Sequence, residues 1–289
     1  MSQSDMDEVC ATLKEGGCSS VHIGGGEPFL DFDGLVALVN TARKHGIAVE
    51  YIETNAYWAK NEEMVKSRLN ALKNAGGDTL CISLDPFHGE YVPYAAPLRL
   101  AKWCKQYGFG CFLWQERFLP MMKKLDGDKA YTRGELEAGI SKDYIHDTAL
   151  AYGLSIGGRA VKIAEEYFPL RPVAELVNSE PCHKLLSTAH FHVDMYGRFI
   201  PPGCTGIAIP LKEGLEGIPA GKYPAFEALL EGGVAALLEY GQARGFAPDP
   251  MGYSSGCVLC FYVRRWLSAM GDCPELDAEH YEQSLRYYE

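Results

Sequence analysis

Ser20-Val21-His22-Ile23-Gly24-Gly25-Gly26-Glu27-Pro28 is the stretch on which the fold turns. A short apolar run that breaks into three glycines, an acid and a proline reads as a strand whose carboxyl end turns towards a helix. The unit recurs downstream: apolar runs at 49–52, 80–84, 110–114 and 154–156 end in Glu53-Thr54-Asn55, Ser83-Leu84-Asp85-Pro86-Phe87-His88, Gln115-Glu116 and Gly157-Gly158-Arg159-Ala160. Amphipathic stretches at 33–45, 61–75, 96–107, 143–152 and 159–167 separate them and read as helices. An opening helix precedes the first strand, with Ser4 and Asp7 spaced as a capping box and apolar residues continuing to Gly16-Gly17. Strands alternating with helices in this way specify an α/β fold with a parallel sheet.

From about residue 169 the rhythm stops, and Pro, Gly and Cys dominate through Cys182, Pro201-Pro202-Gly203-Cys204 and Gly256-Cys257. This predicts a second, smaller module. Residues 191–200 read as two short strands turning at Tyr196-Gly197, followed by helices at 225–244, 260–270 and 277–289.

The 289 residues suffice for one α/β domain plus a small module. The balance of 47% hydrophobic and 22% charged residues is that of a globular chain. No apolar run approaches the ~18 residues that span a bilayer, and the polar, acidic first residues are unlike a secretion signal, so a cytoplasmic protein is expected. A formal charge of −11, with no local Lys/Arg cluster, argues against nucleic acid as a partner, as the lack of a spanning apolar run argues against a membrane. Ten cysteines without a secretion signal point to reduced thiols or metal ligands rather than a disulfide framework.

In a parallel βα sheet, ligands bind at the carboxyl ends of the strands, which is where all five polar clusters fall. The glycines at 24–26 let a ligand approach the backbone, and Glu27 offers an acceptor for a cationic amine. Read alone, the same residues are a flexible turn and a solvated cap. In the second module the tight pair Cys257-Val258-Leu259-Cys260 places two thiols at a helix start. Cys182 and Cys204, 22 positions apart, flank the expected hairpin, which can bring them together. A cluster, a structural zinc ion and metal-free thiols all suit this set, and a single tight Cys pair is fewer than zinc ribbons show. Cys273 is a substitute ligand. Cys10, Cys18, Cys81, Cys104 and Cys111 are read as small apolar fillers on core helix and strand positions.

Gly24-Gly25-Gly26-Glu27-Pro28 resembles the GGEP motif of radical S-adenosylmethionine (SAM) enzymes. The order Cys182, hairpin, Cys204, Cys257-Cys260 resembles their SPASM or twitch auxiliary-cluster module. The resemblance implies a partial (β/α)6 TIM-like barrel over residues 1–168, lacking its first strand, followed by a Cys-rich α+β module over 169–289. It implies SAM as a cofactor, with backbone around Gly25, Gly26 and Glu27, before Pro28, holding the amino group. Ser83 and Asp85 would face the ribose or carboxylate, Gly158-Arg159-Ala160 the adenine end, and Thr54-Asn55 would be a polar pair of less settled role. It also implies an auxiliary [4Fe-4S] cluster on Cys182, Cys204, Cys257 and Cys260, with zinc as the alternative, a peptide, protein or small-molecule substrate, and an electron donor.

The Cys-x3-Cys-x2-Cys triplet that holds the SAM-cleaving [4Fe-4S] cluster in that family is absent from the sequence, so this chain supports no such cluster and no catalytic residue is assigned. The expectation is an enzyme in a longer form, of which this chain is an N-terminally truncated piece. The alternative is a non-catalytic, cluster-less relative that binds a metal through its C-terminal cysteines. A third reading is a conventional metal-dependent enzyme using Glu53, Asp85 and His88.

Overall fold

The computed structural model of the chain describes residues 1–152 and 160–285. They divide into two compact units, Met1–Tyr152 and Gly153–Glu289.

The first unit opens with helix α1 (Gln3–Glu15). Its capping box is Ser2 with Asp5 rather than Ser4 with Asp7: the Ser2 hydroxyl accepts from the Asp5 amide at 3.2 Å while the Asp5 carboxylate accepts from the Ser2 amide at 2.8 Å. The earlier start places Met6 within the helix, where it is buried. Four strands follow, β1 (Ser20–Ile23), β2 (Ala48–Thr54), β3 (Thr79–Ser83) and β4 (Gly110–Trp114), joined in sequence order as one parallel sheet. The connections are α2 (Phe32–Lys44), α3 (Glu62–Ala75), the one-turn α4 (Pro86–Gly89) and α5 (Ala95–Gln106). After β4 come α6 (Leu119–Met122), α7 (Arg133–Gly139) and α8 (Tyr144–Tyr152). The chain is therefore mixed α/β with a four-stranded parallel sheet. The fifth strand expected at 154–156, and Arg159 beyond it, lie outside the described residues.

One sheet face carries the core. Ile52, Leu80 and Ile82 pack with Val39, Leu69, Leu72 and Leu100 of the helices, each 0–1% exposed. Each such side chain removed from water contributes about 1.5–3 kcal/mol, so this face anchors the sheet. The opposite face is more open, with His22 stacked on Tyr51 and with Phe112 and Trp114 partly exposed.

The second unit contains α9 (Ala160–Tyr167), α10 (Val173–Leu176), a three-stranded antiparallel sheet of β5 (His192–Val193), β6 (Arg198–Ile200) and β7 (Ile209–Pro210), then α11 (Leu211–Glu216), α12 (Pro224–Gln242), α13 (Gly256–Met270) and α14 (Ala278–Leu285). The hairpin turn is fixed by Asp194, whose carboxylate accepts from the amides of Tyr196 and Arg198 and pairs with the Arg198 guanidinium. Burial raises the Asp194 pKa, but the bonds from His280 and Arg198 outweigh it and hold the group at about 2.

Two sequence expectations are corrected here. The helix expected unbroken over 225–244 is kinked, with non-helical backbone at Gly232 and Gly233. The helix expected from 260 starts at Gly256, because the Ser255 hydroxyl caps it by accepting from the Val258 amide at 3.2 Å. Among the described residues no helix is long and apolar enough to cross a membrane.

Candidate cofactor rim and metal centre

In the first unit, the polar residues after β1, β2 and β3 share one end of the sheet. Gly24, Gly25 and Gly26 are exposed, and Pro28 opens a single 3-10 turn, Pro28–Asp31, that leads into α2. The half-buried Glu27 turns inward. One carboxylate oxygen accepts from the Phe29 amide at 3.2 Å and from the Thr54 hydroxyl at 2.9 Å; the other accepts from the Asn55 amide at 2.7 Å. Burial raises the Glu27 pKa; these bonds and the charge of His88 pull it back only in part, leaving it above the ordinary carboxyl value.

Thr54 is buried and fully engaged, because its hydroxyl also accepts from the Trp58 indole at 2.9 Å and from the Ala56 amide at 3.1 Å. Glu27 and Thr54 therefore fasten the glycine loop to the end of β2. The backbone of Gly25 and Gly26 is left as the surface a ligand would meet.

Asp85 is fully buried and its carboxylate is spent on His88. One oxygen accepts from the His88 amide at 3.0 Å, capping α4, and the other lies 2.7 Å from His88 Nδ1. His88, Asn55, Ser83 and Tyr94 line a small cleft beside it. Asp85 thus acts through His88, holding Nδ1 as a donor so that Nε2 is the ring nitrogen left for a cleft ligand. Burial lowers the His88 pKa, but the bond to Asp85 and the charges of Asp85, Glu27 and Glu53 more than offset it, and the net shift is upward.

The imidazolium form is therefore favoured by folding. Its contribution to stability is complete below the ordinary histidine value and is lost as pH rises through the higher folded value. NMR titration of His88 is expected to give a midpoint above the ordinary histidine range, and Asp85→Asn is expected to bring it down. An unchanged midpoint in the variant would show that Asp85 does not control the ring.

Glu53 lies elsewhere on the rim, 3.7 Å from the His22 ring and half exposed. Among the described residues, Glu53, Asp85 and His88 do not form a trio with ligand atoms within 4.8 Å of one another, so nothing in the geometry favours the metal reading for this set.

In the second unit the four cysteines converge from distant parts of the sequence. Cys182 begins a 3-10 turn ahead of β5, and its amide donates to the Leu229 carbonyl of α12 at 2.9 Å. Cys204 closes the turn after β6, donating to the Pro201 carbonyl at 3.1 Å, while Cys257 and Cys260 occupy the start of α13. Burial raises the thiol pKa of Cys182, Cys204 and Cys257, that of Cys204 to about 12, and the charges of the neighbouring cysteines add to each rise. The four sulfurs are thus electrostatic neighbours. No three of them stand within 4.8 Å of one another, whereas tetrahedral zinc with ~2.3 Å bonds to sulfur needs a tighter set.

Within the same site is Arg264, 4% exposed, whose Nε donates to Cys260 Sγ at 3.3 Å. Sequence reading passed over it, although its position four residues after Cys260 puts both on one helix face. The donor chemistry, four thiols beside a buried cation, fits a metal group carried on thiolates, because such a group brings the negative charge that a buried guanidinium requires.

Cys273 sits apart: it is buried beside Tyr240 and Glu275, and burial pushes its thiol up to about 11. In the first unit Cys10, Cys81 and Cys104 are buried, with Cys81 and Cys104 pushed up to about 12 chiefly by burial, as suits packing rather than ligation. Cys18 departs from the expected core position: it lies in the connection between α1 and β1 and is half-buried, as is Cys111 on β4. No protein-family model matches the chain, and no curated protein matches it.

Proposed function

We propose that this chain is a radical SAM-related protein whose second unit carries an iron–sulfur cluster on Cys182, Cys204, Cys257 and Cys260, and whose first unit offers a SAM-binding rim at the carboxyl ends of its strands. The observation that carries the reading is the buried Arg264, which bonds Cys260 Sγ at 3.3 Å and the Thr205 carbonyl, next in sequence to Cys204, at 2.7 Å, with the charges of Cys182, Cys204, Cys257 and Cys260 felt at one another. In this reading the four strands belong to a partial (β/α)6 barrel.

On the rim, the exposed backbone of Gly25 and Gly26 would receive the SAM amino group, Glu27 and Thr54 would hold that loop in place, and Asn55 and Ser83 would supply neutral polar contacts beside His88. A cluster bound in the second unit supplies one-electron chemistry or a coordination position for a substrate. The cysteines supply its thiolates, and Arg264 holds a positive charge against Cys260. A peptide, protein or small-molecule substrate and an electron donor belong to the same proposal. The absence of a Cys-x3-Cys-x2-Cys triplet favours a second reading for the chain as it stands, a non-catalytic relative that binds SAM and the cluster, or zinc in its place, without cleaving SAM.

The test is anaerobic reconstitution of the full chain with iron and sulfide, followed by metal analysis, visible absorption and EPR. Stoichiometric iron with a reducible chromophore is expected, abolished in Cys257→Ala/Cys260→Ala and retained in Cys273→Ala. Zinc uptake with the same cysteine dependence and no iron chromophore would replace the cluster by zinc. Metal uptake indifferent to Cys257 and Cys260 would end the proposal. Calorimetric titration with SAM tests the rim, which is excluded as a SAM site if the folded chain shows no binding.

A further inference from the structure

Arg264 has no carboxylate partner among the described residues and is buried. Its partners are Cys260 Sγ at 3.3 Å from Nε, and the Thr205 carbonyl at 2.7 Å and the Tyr281 hydroxyl at 2.9 Å from Nη1. A carbonyl and a phenol are dipoles, not counter-ions. Arginine does not shed its proton in proteins, so it cannot escape the cost of burial by becoming neutral, and an uncompensated buried charge is strongly destabilising.

The neighbours able to carry the missing negative charge are the thiols: Cys260, one helical turn before Arg264 on α13, and Cys204, next in sequence to Thr205. The same side chain therefore bonds directly to one candidate ligand, to the backbone beside a second, and to α14 through Tyr281, which is itself buried.

Resting on the cluster reading above, we propose that Arg264 is the internal counter-charge and sulfur hydrogen-bond donor of this site, a positioning residue that favours an anionic four-thiolate cluster and sets its reduction potential. Adding an electron to such a cluster makes it more negative. A fixed cation in contact with one ligand sulfur, in a site of low dielectric constant, stabilises the reduced form more than the oxidised form and raises the potential. Lysine in this place keeps the charge but loses the planar fork that reaches Thr205 and Tyr281 together.

The experiment compares wild type, Arg264→Gln and Arg264→Lys in the full chain, each reconstituted with iron and sulfide, by redox titration followed by EPR. Arg264→Gln is expected to bind iron through the same cysteines with its midpoint lowered by an amount equal to at least tenfold weaker stabilisation of the reduced form, about 59 mV for a one-electron couple. Arg264→Lys is expected to lie between the two. Pulsed EPR of the wild type carrying 15N-arginine is expected to show a nitrogen coupled to the reduced cluster, which keeps the test decisive if Arg264→Gln does not fold.

A fully loaded Arg264→Gln protein with wild-type potential, or a wild-type cluster with no arginine nitrogen coupling, overturns the role of Arg264 and leaves the cluster reading intact. A wild type that takes up no iron overturns the cluster reading itself.

Discussion

Gly233→Ala is expected to destabilise the second unit by about 3 kcal/mol or more and, if its cysteines carry the proposed cluster, to abolish its uptake. Gly233 is the kink of α12, with φ 60° and ψ −147°, a conformation that any residue with a Cβ strongly disfavours. A Cβ there would also overlap the Glu180 carbonyl oxygen, a rigid backbone atom with no rotamer into which to retreat.

The consequence reaches the site because residues 178–182 run along the kinked helix. The Asn178 carbonyl accepts from the Ala235 amide at 3.0 Å and the Cys182 amide donates to the Leu229 carbonyl at 2.9 Å, with Glu180 between them. Pushing Glu180 away displaces Cys182. The control is Gly217→Ala, where φ is 131° but a Cβ would meet nothing within 4 Å, so the backbone strain of about 1–3 kcal/mol is expected without any added overlap. Urea unfolding and iron content measure both. Equal effects at the two positions would show that strain alone, and not the Glu180 contact, governs Gly233.

Glu27→Ala is expected to cost about 2–3 kcal/mol, because it strands the Phe29 and Asn55 amides and removes one partner of a buried threonine hydroxyl. If the rim takes SAM as proposed, it is also expected to weaken that binding at least tenfold, since the loop of Gly24–Gly26 loses its tie to β2. The pH dependence has a definite sign. The folded pKa of Glu27 is raised above the ordinary value of 4.5, so its stabilising contribution is complete below that value and declines as pH rises through the folded value. The penalty for Glu27→Ala is therefore largest in acid and shrinks towards neutrality. Denaturant midpoints from pH 4 to pH 8 give the slope, and a penalty that grows with pH would reverse the assignment.

Much of the chain was legible because its signals are local. The strands at 20–23 and 110–114, and the helices α2, α3 and α5, follow from apolar periodicity and caps, and each lies within a residue or two of the expected bounds. The exit of polar residues at one sheet end follows from parallel topology alone. The kink in α12 was not legible, since a Gly-Gly pair inside an otherwise helical pattern is compatible with a continuous helix until a neighbouring backbone demands the space. Strand β7 escaped because two residues carry no alternation.

The site residues divide the same way. The tight pair Cys257 and Cys260, the glycine loop and the polar residues after each strand are fixed by sequence, because spacing along one helix or past one strand end determines where they stand. The direction in which each acts was decided by packing. Asp85 is three residues from His88 whether it faces a ligand or the ring, and only its complete burial commits both oxygens to the histidine. Likewise Cys182 and Cys204 come within electrostatic range of the α13 pair, Cys273 lies beside Tyr240, and Arg264 is enclosed against sulfur rather than a carboxylate. These outcomes join segments far apart in the chain, and burial, which no local pattern encodes, sets the charge each group must find.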